Sequence, residues 1–249
     1  MSVINQETIV TPSLAVVDAA ELALLTEKTR LENEWYAAHE RFVTNDDIIR
    51  AAKLGELAWV GSNRDIAPVY RFRQPGNEHK FPPFLLPESA VAYRAIGRLW
   101  RERLNDEGIN DPNYRIASTS FVRSEVTQAA LVADGTKLAS PDSTHCVGAP
   151  VDFDTSGYYW WSGDYGLMKV SHPGRDQKKA GEIGSMLGTA NPTPEAPITY
   201  DQRVMDALVG VLDDLHDQGL VNHLLEFEGQ ANQCSHVAPH PDFTRLSVD

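Results

Sequence analysis

In the stretch STHCVGAPVDFD, residues 143–154, a histidine and an aspartate stand seven residues apart, with a serine just ahead of the histidine and a glycine between the two. A zinc ion accepts imidazole nitrogen and carboxylate oxygen, and a catalytic zinc keeps three protein ligands plus one position for water. His145 and Asp152 supply two of the three. Gly148 lets a loop-borne His145 turn toward the point at which Asp152 projects from the following strand. Of the remaining histidines, His236 fits best as the third ligand, on a short C-terminal strand able to lie beside residues 151–153. Without such a partner, the same spacing describes a turn feeding a buried strand.

The elements that must position these residues follow from periodicity. Residues 19–42 read as one helix, with Leu22, Leu25, Leu31 and Trp35 at roughly helical spacing. Asn45 looks like the N-cap of a second helix, 46–54, ended by Gly55. Residues 61–87 hold enough Pro and Gly to form an ordered connector. This divides an N-terminal helical region with its connector, 1–87, from an α+β part, 88–249. Residues 88–105 form an amphipathic helix, 114–121 a strand, VRSEVTQAALVADG a helix and GAPVDFD a second strand. Residues 157–197 carry few periodic apolar side chains and read as a long loop. TYDQRVMDALVGVLDDLHDQG is a helix with Gly219 at its C-terminus. LVNHLLEFEG and QCSHVAPH then form two strands joined at the GQAN turn. Helices and strands are grouped, which favours an α+β fold with a mainly antiparallel sheet.

The 249 residues, 42% of them hydrophobic, suffice for a substantial core. The net charge of −13 comes with no Lys/Arg-rich block, so nucleic acid is not an expected partner. No apolar run is long enough for a membrane span and no secretory signal is present, which points to a cytoplasmic protein or one exported by another route. Cys146 and Cys234 are too few for a disulfide scaffold, and they read as packing residues beside two candidate ligands.

The run IASTSFVRSEVTQAALVADGTKLASPDSTHCVGAPVDF resembles the core of the LAS zinc peptidases, the D-Ala-D-Ala carboxypeptidase and dipeptidase family. That family shows a strand, an Arg-bearing turn, a helix with a Gln, then S-x-H-x-x-G-x-A-x-D and a histidine on a late strand. The matching residues are Arg123, Gln128, Ser143, His145, Gly148, Asp152 and His236, with Pro150 where the pattern has Ala; the resemblance spans residues 114–239. It implies a LAS/hedgehog-like core, a Zn²⁺ ion on His145, Asp152 and His236, and hydrolysis of D-amino-acid-containing peptides from the bacterial cell wall. Arg123 would stabilise the oxyanion or bind the substrate carboxylate, against the alternative of a surface arginine capping the SEVTQ helix; Ser143 would contact substrate or shape the loop, and Gln128 would contact substrate or lie on the helix surface.

The family's general base lies three residues before its last histidine, where this chain has Gln233, which cannot take up a proton. Glu226 and Glu228 alternate on LEFEG and so share one face of their strand. A divergent branch of the superfamily, in which a strand-end Glu precedes a short turn and C-x-H, is also similar, and it favours Glu228 over Glu226 as the base. The rival readings are a zinc-binding pseudoenzyme that lost its base at Gln233, and an α+β interaction module without metal. The aromatics of GYYWWSGDYG either wall a binding pocket or continue the strand and pack on the sheet. His172, His216, His223 and His240 receive no role, and His240 reads as part of an exposed tail.

Overall fold

The computed structural model describes residues 19–68, 82–133, 140–162, 166–173, 198–226, 228 and 233–246. Helix α1, Ala19–Trp35, stops seven residues before the expected end, and the chain turns at Tyr36. Helix α2, Asn45–Leu54, is capped by Thr44 instead of Asn45: the Asp47 N–H donates to the Thr44 hydroxyl, and the Thr44 N–H donates to the Asp47 carboxylate. This reciprocal pair satisfies two N-terminal donors that a helix otherwise leaves open. Gly55, at φ 80°, ends the helix as expected. Two short strands, β1 (Ala58–Trp59) and β3 (Phe84–Leu85), pair with each other, while β2 (Ile66–Pro68) lies between them in sequence. Helix α3, Pro87–Asp106, follows, then β4 (Tyr114–Ser120), α4 (Glu125–Ala133), a 3-10 turn (Thr144–Val147), β5 (Val151–Ser162) and β6 (Gly166–Ser171). Helix α5 (Gln202–Asp217), β7 (Val221–Glu226), β8 (Cys234–Pro239) and the short α6 (Phe243–Leu246) complete the order.

The fold is α+β. A six-stranded sheet runs β2-β4-β5-β8-β7, with β6 paired to β5. Only the β2–β4 pair is parallel; the other pairs are antiparallel. The segment before residue 87 therefore contributes β2 to the main sheet and Val60, Ile66 and Leu85 to the main core. The first part of the expected loop, from 157, is strand instead: residues 157–162 extend β5 and 166–171 form its hairpin partner β6. Residues 174–197, the central part of the connector (69–81) and the GQAN turn (229–232) lie outside the described residues.

Each face of the sheet has its own task, set by the two-residue alternation of strands. Val151 and Phe153 on β5, Val221 on β7 and Val237 on β8 pack into one core with Tyr93, Ile96, Trp100 and Leu104 of α3 and Leu208 and Leu212 of α5. Trp100 is fully buried there and still satisfies its ring N–H, which donates to the Val204 carbonyl at 2.9 Å. The intervening residues Asp152, His236, Asn222 and Glu226 occupy the opposite face. Behind that face a second apolar cluster, Tyr36, Ile48, Leu57, Leu86, Val122, Val147 and Ala149, backs the 3-10 turn. Among the described residues no helix is long and apolar enough to cross a membrane.

Candidate metal centre

The antiparallel register of β5 and β8 sets Asp152 directly opposite His236, as the sequence reading anticipated for the last strand. Directly opposed residues project to the same face with Cβ atoms about 5 Å apart, and the Asp152 Oδ1 lies 3.0 Å from His236 Nδ1. His145 reaches the same point from the 3-10 turn, its Nε2 3.3 Å from Asp152 Oδ1. The turn works because Gly148 takes φ 81° and donates its N–H to the His145 carbonyl. The left-handed backbone calls for glycine, and a Cβ there would also press on Leu57 Cδ2 at 3.1 Å. The three ligand atoms lie within 4.8 Å of one another. Ligands held about 2.0–2.1 Å from a tetrahedral zinc stand about 3.3 Å apart, so the cluster has the dimensions of such a site and can hold a metal ion.

Hydrogen bonding sharpens the fit. His145 Nδ1 lies 2.8 Å from the Phe121 carbonyl oxygen, which can only accept, so the ring proton sits on Nδ1. Burial first, and the Arg123 guanidinium next, push the His145 imidazole down to about 4, and the ring is neutral at neutral pH. With the ring neutral and protonated on Nδ1, the Nε2 lone pair faces a carboxylate oxygen. Two acceptors at this distance repel unless a cation is shared, and either a proton or a metal ion meets that need. Asp152 is ionised: burial opposes its charge, but the His145 and His236 imidazoles hold it well below the usual carboxylate range.

His236 is bound on both sides, since its Nε2 lies 3.1 Å from Glu32 Oε2. Burial disfavours its charge, but the Glu32 and Asp152 carboxylates outweigh burial and raise it well above the ordinary histidine value. Glu32 was not singled out from the sequence. It sits on α1 among alternating charges, and no local pattern distinguishes it from its exposed neighbours Glu27 and Glu34.

Glu226, not Glu228, is the carboxylate next to the cluster. It stands opposite Cys234 in the β7–β8 register, two residues along from the Leu224–His236 pair and on the same face. Burial, followed by the Asp152 charge, raises its carboxyl to about 7, and the Cys234 thiol donates to its Oε2 at 3.6 Å. Glu228 lies beyond the end of β7, in a turn, and is exposed. Gln233 is buried, with its amide nitrogen 3.3 Å from the Thr155 hydroxyl and 3.4 Å from the Thr155 carbonyl.

Arg123 follows β4, and its N–H donates to the His145 carbonyl at 3.1 Å. Its Nε is buried and has no hydrogen-bond partner among the described residues. Burial lowers its pKa, against the pull of Asp152 and Glu226, so a cation with spare donor capacity stands in the field of the cluster. Gln128 is not on the surface: it is buried, and its amide donates to the Ser140 carbonyl at 2.6 Å. Ser143 shapes the turn through its carbonyl, which accepts from the Cys146 N–H and from Arg41.

The aromatic run lies in β5. Tyr158 and Tyr159 are fully buried and Trp161 is exposed, so the run packs within a strand covered on both faces. His240 is not in a free tail, because its ring packs edge-on against Trp35 at 4.9 Å. A second constellation sits on the helix-covered face. His223 Nε2 lies 3.2 Å from Ser235 Oγ, and His223 Nδ1 lies 3.3 Å from Asp213. This is the order of a serine nucleophile, its base and an orienting acid, but Ser235 is wholly buried and offers no approach to a substrate carbonyl. No known protein family, curated protein or solved structure matches the chain.

Proposed function

We propose that this chain is a zinc-dependent peptidase with a LAS/hedgehog-like core, acting on D-amino-acid-containing peptides of cell-wall origin as a carboxypeptidase or dipeptidase. The observation that carries the metal chemistry is the facing of two acceptors, His145 Nε2 and Asp152 Oδ1, at 3.3 Å, with His236 Nδ1 completing the set. The substrate class rests on the resemblance across residues 114–239. A zinc ion bound here supplies a Lewis acid for a carbonyl oxygen and lowers the pKa of a water molecule.

This chain's own residues then divide the remaining work. Glu226, with a carboxyl raised to about 7, is matched to accepting a proton at neutral pH as water oxygen attacks the peptide carbonyl carbon, and to returning it to the amine nitrogen as the C–N bond breaks. The Arg123 guanidinium, whose Nε has no hydrogen-bond partner among the described residues, either faces the developing oxyanion or grips the terminal carboxylate of the substrate. The test is incubation of the zinc-loaded chain with peptides ending in D-Ala-D-Ala and with their L-Ala-L-Ala counterparts. Release of D-Ala that a chelator abolishes supports the proposal, and no turnover on either series counts against it.

One observation favours a second reading. Gln233 occupies the family's base position and is tied to Thr155, as expected of a zinc-binding protein that retains the ligands without turnover. The same peptide assay separates the two, because the second reading keeps the metal and lacks the product.

A further inference from the structure

We infer that Glu32 is a positioning residue of the metal centre, and that helix α1 belongs to the site because it delivers the carboxylate that decides which nitrogen of His236 faces the ion. The inference rests on the reading of His145, Asp152 and His236 as metal ligands. Glu32 lies 204 positions from His236 in the chain and is only 3% exposed.

A neutral imidazole carries its proton on either nitrogen, and only the unprotonated one can bind a metal. Glu32 Oε2, 3.1 Å from His236 Nε2, requires a proton on Nε2. When an ion displaces the proton that Nδ1 shares with Asp152, the remaining proton stays on Nε2 and the lone pair lies on Nδ1. The carboxylate is itself immobilised from two other elements. Thr144, next to His145 in the 3-10 turn, donates its hydroxyl to Oε2 at 2.5 Å, and Asn222 of β7 donates its amide to Oε1 at 2.6 Å. One carboxylate thus links α1, the turn carrying the first ligand, β7 and the strand β8 that carries the last. Three donors on a buried carboxylate offset the cost of removing its charge from water, and they also fix its direction. A histidine ligand whose second nitrogen donates to a carboxylate is oriented and made more basic, and loss of such a partner typically lowers metal affinity about 10- to 100-fold.

The experiment measures zinc affinity by chelator competition for the full chain, Glu32→Ala, Glu32→Gln and Tyr36→Phe, with folding checked by circular dichroism. The tautomer of His236 is read from its ring ¹⁵N shifts in the zinc-loaded protein. Tyr36→Phe is the control, since the Tyr36 hydroxyl ties the end of α1 to the Pro239 carbonyl without touching His236. The expected results are a loss of about 10- to 100-fold for Glu32→Ala, a smaller loss for Glu32→Gln, which keeps an acceptor oxygen, and no change for Tyr36→Phe. The wild type should show His236 protonated on Nε2. A folded Glu32→Ala chain with wild-type affinity and tautomer would overturn the inference, as would an equal loss in Tyr36→Phe. A wild-type chain that binds no zinc overturns the metal reading itself, a result visible before any variant is compared.

Discussion

Asp152 and His236 stand directly opposite each other on neighbouring antiparallel strands, with Oδ1 and Nδ1 3.0 Å apart. Two of the three candidate ligands are therefore held by sheet hydrogen bonds on both sides of the contact, and only His145 depends on a turn. Asp152→Asn preserves the shape and removes the charge. Zinc affinity should fall by more than the roughly 10- to 100-fold expected of losing an outer partner, while far-ultraviolet circular dichroism stays close to wild type. Undiminished zinc binding would remove Asp152 from the ligand set.

Glu226 and Glu228 make opposite predictions although both were read onto one strand face. Glu226→Gln should cut D-Ala release by about 10²- to 10⁴-fold, the usual range for a proton-transfer group, with zinc content unchanged. Glu228→Gln, in the exposed turn, should leave turnover within about twofold of wild type, since surface substitutions away from a site do little. Steady-state kinetics on one peptide decide the matter, and the reverse pattern would reassign the base to Glu228.

Arg123 carries a buried Nε without a hydrogen-bond partner among the described residues. Arg123→Ala should lower kcat/KM by about 10²- to 10³-fold at unchanged zinc stoichiometry. Arg123→Lys should recover little, because a point charge does not reproduce a planar fork of donors. Full activity in either variant would make the arginine a structural group.

His223 provides a stability signature on the other face of the sheet. Burial, aided by Lys28 and opposed by Asp213, lowers its imidazole to about 4 from an ordinary 6.5. The unfolded chain then binds a proton more readily than the folded one between these values. The stability tied to a neutral His223 is full above pH 6.5 and is lost as pH falls toward 4, by at most about 3 kcal/mol. Urea unfolding at pH 7.5, 6.0 and 4.5 should show this decline, and His223→Gln should flatten it. An equal slope in the variant would place the titration elsewhere.

Local signals explain what the sequence disclosed. The helix ends were legible where a cap residue was present, as at Gly55, and the α2 start was misplaced by one residue because Thr44 and Asn45 are both capable caps and only the Thr44–Asp47 pair closes. His145, Gly148 and Asp152 form one short motif, so two candidate ligands and their turn are readable together, and the third candidate, His236, follows from its place on a C-terminal strand. Glu32 was hidden because its role depends on contacts with Thr144, Asn222 and His236, each more than a hundred positions away. The choice between Glu226 and Glu228 turned on where β7 ends, and strand parity alone cannot locate that end. The strand character of residues 157–162 was hidden because Tyr158 and Tyr159 are both buried, so the segment lacks the two-residue alternation that marks a half-buried strand.

The central claim is that His145, Asp152 and His236 form one metal site, and elemental analysis tests it most directly. Protein purified without added metal, then equilibrated with one equivalent of zinc and desalted, should carry one zinc per chain. The His145→Ala, His236→Ala double variant should carry none while remaining folded. A wild type that retains no zinc, or a double variant that retains as much as the wild type, would contradict the account.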